Sequence, residues 1–228
     1  MRKTEKFIVL DTETANTLDD ALTYDIGFIV ADRKGNIYES HKLCIYDIFV
    51  LEKALMQSSY YAEKCPLYEA DIARGEYKLC TLYTARKMIA EIMSKYNIKK
   101  VFAYNCFFDK TALNTTLRYI SKSKYRWFFP YGTEFHDIWN FACSTICQQK
   151  HYKTFCEDNG YTSNRGRNYR ATAEIVYQYI NNDTDFVEEH RGLADVLIEY
   201  AILLKCYSLH TKVQTNIDRL CWKKVQRT

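Results

Sequence analysis

The chain has 228 residues, 47% of them hydrophobic, with few Gly (7) and Pro (2) and a net charge of +4. This suits one larger α/β domain or at most two small ones, and argues against long disordered linkers. The mild basicity permits a polyanionic partner without demanding one. No apolar stretch reaches membrane-spanning length. Nine Cys, scattered without framework spacing, read as free and mostly buried thiols of a reducing cytoplasm. The charged start, residues 1–6, leads into a strand and not into the apolar region of a signal peptide.

Residues 7–10 (FIVL) are rich in aromatic and β-branched types and read as a buried first strand. A polar turn at 16–20 precedes a second strand at 22–31. Residues 32–36 form a tight turn, with Gly35 where positive φ is needed, and 37–46 read as a third strand. Strands joined this closely must be antiparallel, so the chain opens with a meander. From Asp47, a candidate cap, Ile48, Leu51, Leu55 and Met56 recur at helical spacing. Residues 58–78, with Pro66 and Gly75, read as an irregular surface excursion with short helices. A stronger helix covers 81–96, a fourth strand 101–104, a helix 110–121 and a short fifth strand 134–138. Residues 139–149, 152–158 and 171–180 are helical, with a basic loop at 163–170. A long helix is expected from Glu188 or Glu189 to Leu209. Its stripe is Leu193, Val196, Leu197, Tyr200, Ala201 and Leu204. The expected architecture is a single domain over 1–228, with its core at about 6–209 and a basic tail at 210–228. It is an α/β fold whose mixed five-stranded sheet starts as the meander and continues in parallel, with helices on both faces.

Two carboxylates, Asp11 and Glu13, leave the first strand at i and i+2. They therefore share a face, which is costly without a positive partner. A divalent metal is the obvious partner, and two solvated acids at a strand end are the bland alternative. Asp109 follows the fourth strand, where open α/β sheets place ligands. Taken alone it reads better as a helix N-cap. His190 and Asp195 are five apart, about 140° around a continuous helix. They converge only if His190 lies outside the helix, a break that Gly192 makes plausible. Asp195 falls beside the apolar stripe, where a lone acid needs a partner.

In this order the motifs FIVLDTET, AYNCFFD and EHRGLADV resemble the DEDDh-type 3′→5′ exonucleases, the proofreading-exonuclease group of the RNase H-like superfamily. The resemblance spans residues 6 to about 205. Two positions depart from the pattern: Tyr104 stands where a His is frequent, and Asp137-Ile138 where an Asp-Thr pair is frequent. The resemblance implies an RNase H-like fold and two divalent cations, Mg²⁺ or Mn²⁺, about 3.5–4 Å apart on Asp11, Glu13, Asp109 and Asp195. It assigns His190 as general base toward the attacking water and nucleoside 5′-monophosphates as products. Thr14 and Ala15, through their backbone amides, and Asn105 and Phe108 would meet the terminal nucleotide. The implied partner is a nucleic-acid 3′ end, single-stranded DNA before RNA, with a polymerase or replication complex as a further one. Alternatives are a catalytically idle RNase H-like binding module, an exoribonuclease of the same family, and a metal-dependent phosphatase.

Three further features have plain readings. Residues 122–129 mix cations with aromatics, which fits phosphate steering and base stacking but equally a solvated turn over a core cluster. Arg165, Arg167 and Arg170 lie closer in sequence to the late motif. Cys143, Cys147, His151 and Cys156 could mimic a zinc site, but the first two lie among Phe141, Ala142 and Ile146 and read as buried thiols.

Overall fold

The computed structural model describes residues 4–15, 20–123, 126–163, 166–210, 212 and 214–227. The turn expected at 16–20 lies outside them apart from Asp20. The strands are β1 (Lys6–Ala15), β2 (Leu22–Asp32), β3 (Ile37–Ile45), β4 (Lys78–Cys80), β5 (Lys100–Ala103) and β6 (Glu134–Asp137). They form one sheet in the order β4-β3-β2-β1-β5-β6. β1, β2 and β3 pair antiparallel, whereas β5 on β1, β6 on β5 and β4 on β3 are parallel. The meander and the central first strand are as expected. The sixth strand, β4, falls at the end of the segment read as a surface excursion. Three residues at a sheet edge are too few to carry a readable alternation.

β1 alternates between two cores. Ile8 and Leu10 enter one, under α1 (Tyr46–Phe49), α2 (Lys53–Ser58), α3 (Cys65–Ala73), α4 (Leu82–Tyr96) and α5 (Cys106–Ser121). Phe7 and Val9 enter the other, under α6 (Ile138–Ser144), α7 (Lys150–Asp158), α8 (Ala173–Asn181) and α9 (Gly192–Ser208). Cys221 and Val225 of the C-terminal segment are buried in this second core. Among the described residues no helix is long and apolar enough to cross a membrane.

Three helix expectations are corrected. The run from Asp47 is two short helices, α1 and α2, and Asp47 caps neither. Its Oδ2 accepts the Leu82 N–H at 2.7 Å, at the start of α4. The expected helix over 139–149 stops at Ser144 and gives way to a 3₁₀ turn, Ile146–Gln148. α9 begins at Gly192, three or four residues later than expected, because His190 sits at φ 49°, which a right-handed helix cannot contain. The stripe also shifts. Leu197 is 45% exposed, and the buried side of α9 carries Asp195, Val196, Glu199, Tyr200 and Leu203. α9 packs on β1 and β2 and is flanked by α6 and α8, so its buried arc is wider than one stripe.

Candidate active site

Alternation along β1 sends Asp11 and Glu13 toward α9, beside their cross-strand partners Gly27 and Asp25. Thr12 points the other way, toward α5. Its backbone N–H and its hydroxyl both donate to Asp109 Oδ1, at 3.0 and 2.9 Å. Asp109 is therefore not a helix cap. The N-cap of α5 is Asn105, at φ 60°, and Asp109 lies inside the first turn, 3% exposed. The β1–β2 register shifts between Glu13 and Thr14, so that Glu13 faces Asp25 but Thr14 faces Thr23. The extra residue of this bulge is Tyr24 of β2, and Thr14 lines the same cleft as the acids.

The start of α9 is locked onto β2 by two glycines. A Cβ on Gly27 would lie 2.0 Å from the Gly192 carbonyl carbon, and one on Gly192 would lie 2.5 Å from the Gly27 nitrogen. Gly192 thus serves close approach, while the break expected there is made by His190. Asp25, fully buried, accepts the Gly192 N–H at 3.0 Å and the hydroxyls of Tyr68 and Tyr77 at 2.6 and 3.0 Å, all on Oδ2. The Arg191 guanidinium pairs with Asp71 and lies over the Tyr68 and Tyr77 rings. The Arg191 N–H donates to Asp195 Oδ2 at 3.1 Å. His190 stacks on Tyr61, with ring centroids 4.9 Å apart and planes at 23°. Lys64 Nζ donates to the carbonyls of Glu189 and His190, at 2.5 and 3.4 Å, holding the loop from outside.

These elements enclose a cleft of about 770 Å³. Asp11, Glu13, Asp109, His190 and Asp195 all line it, as do Thr14, Asn105 and Phe108. Ala15 does not; it is buried in the core on the α5 side. One ligand atom each of Glu13, His190 and Asp195 lie within 4.8 Å of one another. Burial, and then the neighbouring carboxylates Asp195 and Asp25, push Glu13 up to about 9. Burial pushes Asp109 and Asp195 up to about 7, and Asp11 well above the ordinary carboxylate range. Asp195 Oδ1 is buried with no partner. An orphaned carboxylate oxygen among acids that repel one another fits hard divalent cations such as Mg²⁺ or Mn²⁺, which take oxygen donors and supply the missing charge.

Other expectations fall elsewhere. Of residues 122–129, Lys124 and Tyr125 lie outside the described residues, Phe128 and Phe129 are core, and Trp127 is exposed away from the cleft. Arg165 lies outside the described residues, and Arg170 lines the cleft. Cys143, Cys147 and Cys156 are buried and His151 is exposed. The metal-capable group found among the described residues is Glu13 with His190 and Asp195. Sequence reasoning missed Glu199, Tyr61 and Lys64. Glu199 had a signal: an acid at i+4 from Asp195 within a buried helix face. Tyr61 and Lys64 had none, since they come from the segment read as a surface excursion.

No protein-family profile and no curated protein sequence matches the chain. Solved structures do. Escherichia coli exonuclease I in complex with a dA16 oligonucleotide superposes with a TM-score of 0.54 at 12% identity, covering 90% of this chain and 41% of that one. A product-bound exonuclease I gives 0.52 at 13% identity, covering 91% and 44%. A zinc-bound form of its complex with single-stranded DNA gives 0.51 at 13% identity, covering 89% and 40%. The chain thus spans about two fifths of the length of these structures. What it shares with them is the fold: the mixed sheet, with its meander and parallel continuation, is that of exonuclease I.

Proposed function

We propose that the chain is a divalent-metal-dependent 3′→5′ exonuclease. It hydrolyses phosphodiester bonds at single-stranded 3′ ends, DNA before RNA, and releases nucleoside 5′-monophosphates. The observation that carries this reading is the convergence of four acids and His190, from three separated parts of the chain, in one cleft. The shared fold with structures that hold oligonucleotides supports the choice of substrate. Asp11, Glu13, Asp109 and Asp195 would hold the cations. Two such ions, when bound, activate a water and offset the charge that develops on the phosphoryl oxygens.

The chain's own groups do the rest. His190 takes the proton of the attacking water. Burial, and then the Lys64 charge, hold its pKa below the ordinary imidazole range, which favours the neutral ring that can accept a proton. Asn105, Phe108 and the Thr14 amide receive the terminal nucleotide. Tyr60, Tyr61, Tyr104, Trp139 and Trp222 line the same cleft and offer faces to unpaired bases. A base inside a duplex has both faces covered, which favours single-stranded ends.

The test uses 3′- and 5′-labelled single-stranded DNA, duplex DNA and RNA, with Mg²⁺, Mn²⁺ or EDTA. Stepwise 3′ shortening, fastest on single-stranded DNA and abolished by EDTA, is expected. Metal charge stabilisation is worth several kcal/mol, so Asp11→Asn should cost about 10³-fold in rate. No shortening of any substrate would overturn the enzyme reading. A fully active Asp11→Asn protein would overturn the site.

A further inference from the structure

The cleft holds two acids beyond the four of its motifs, Glu188 and Glu199. Glu199 lies four residues after Asp195 on α9, on the same helix face one turn on. It is 3% exposed, yet it lines the cleft with Asp11, Asp109 and Asp195. Its Oε2 accepts the Tyr104 N–H at 3.1 Å, at the end of β5 and one residue before the Asn105 cap of α5. Glu199 thus joins the helix that carries Asp195 to the junction that carries Asp109.

That single N–H does not offset a buried charge. The acids that line the cleft with Glu199 include Asp11, Asp109, Asp195 and Glu188. Glu199 is in turn the acid that acts most strongly on Asp11. A buried carboxylate with acids around it is costly unless a cation joins the group. Asp195 Oδ1, 94% or more shielded and without a partner, marks the same need one turn away. Glu13, His190 and Asp195 already form one tight group, which leaves Asp11 and Asp109 on the side where Glu199 enters.

We propose that Glu199 is a fifth carboxylate of the metal centre, binding the cation held by Asp11 and Asp109. The proposal rests on the exonuclease reading for the presence of that cation. It goes beyond that reading in its ligand set, because the sequence motifs supply four acids only.

Glu199→Gln separates ligation from bracing. Glutamine keeps the size and an oxygen for the Tyr104 N–H but loses the charge. Metal-free wild type, E199Q and D11N are titrated with Mn²⁺, with free Mn²⁺ read by electron paramagnetic resonance and folding checked by thermal melting. Wild type should bind two ions, and E199Q should weaken one of them by about tenfold or more. If E199Q binds both ions as wild type does while D11N does not, Glu199 is a brace only; the proposal fails and the exonuclease reading stands. If wild type binds no Mn²⁺, both fail. Should E199Q not fold, Glu199→Asp keeps the charge but withdraws it by one methylene. Weakening of one ion then supports the proposal, and unchanged binding overturns it.

Discussion

His190 shows how single residues set the chemistry of the cleft. Its left-handed φ is unusual for a residue with a Cβ and holds only where neighbours over-determine it. Here those neighbours are the Tyr61 ring and the Lys64 ammonium on the two carbonyls. Lys64 also lowers the His190 pKa, after burial. The sign of its removal follows. Without that charge the imidazolium is less disfavoured, the His190 pKa rises, and a larger fraction is protonated and unable to accept a proton at a given pH. Lys64→Met should therefore move the acid limb of the pH–kcat/KM profile upward, with the alkaline side unmoved. A limb that stays in place would detach Lys64 from the base. At this scale the sequence was informative where acids stood in apolar surroundings. Asp11, Glu13 and Asp195 each broke a hydrophobic pattern that demanded compensation. Glu199 breaks it too, but on a part of the buried arc of α9 that lies outside the expected stripe. Tyr61 and Lys64 broke nothing, because a polar segment with a Pro and a Gly has no pattern to break.

At the level of elements, the contact between β2 and the start of α9 is the joint that places half of the cleft. Gly27 and Gly192 meet backbone to backbone, with no flexible side chain to give way. Gly27→Ala should force α9 outward, carrying Asp195 and the His190 loop with it. Overpacking of this kind costs about 1–3 kcal/mol or more, which lowers the melting temperature by about 2–4 °C per kcal/mol in a chain of this size. Exonuclease rate should fall at temperatures well below the new melting point, since the ligands move before the protein unfolds. A variant with wild-type melting and rate would show that the joint is slack. Elements with one wet face were legible: α4 has its amphipathic spacing and its Thr81 cap, whose hydroxyl accepts the Thr84 N–H at 3.2 Å. Elements buried on several sides, such as α9, or broken after one turn, such as α1 and α2, differ in extent from their sequence pattern. There periodicity reports burial and not the point where the backbone turns.

The whole molecule should carry the electrostatic signature of the cleft. Glu13, Asp109 and Asp195 have folded-state pKa values of about 9, 7 and 7, against about 4 in an unfolded chain. Between those limits the folded metal-free protein holds protons that the unfolded chain has released, so its stability falls as pH rises. Metal-free protein should melt lower at pH 8 than at pH 5. Added Mg²⁺ should raise the melting temperature more at pH 8, where the acids must ionise, than at pH 5, where protons already fill the cation's role. Equal Mg²⁺ shifts at the two pH values, read by differential scanning calorimetry, would contradict the metal centre. The meander was readable because short turns force antiparallel pairing. The parallel edge strand β4 was not, since three residues at a sheet edge carry no readable alternation.

The bulge between Glu13 and Thr14 has a consequence for transplantation. Up to Glu13, odd-numbered residues of β1 look toward α9; past the bulge, Ala15 is packed with Ile8 and Leu10 beneath α5. Inside and outside trade places at the residue where the strand stops being scaffold. A designer who grafts Asp11 and Glu13 onto a regular sheet would keep both acids and lose Thr14 to the far side. The portable unit is therefore a hairpin, β1 with the Tyr24 stretch of β2 opposite it, and not a four-letter motif.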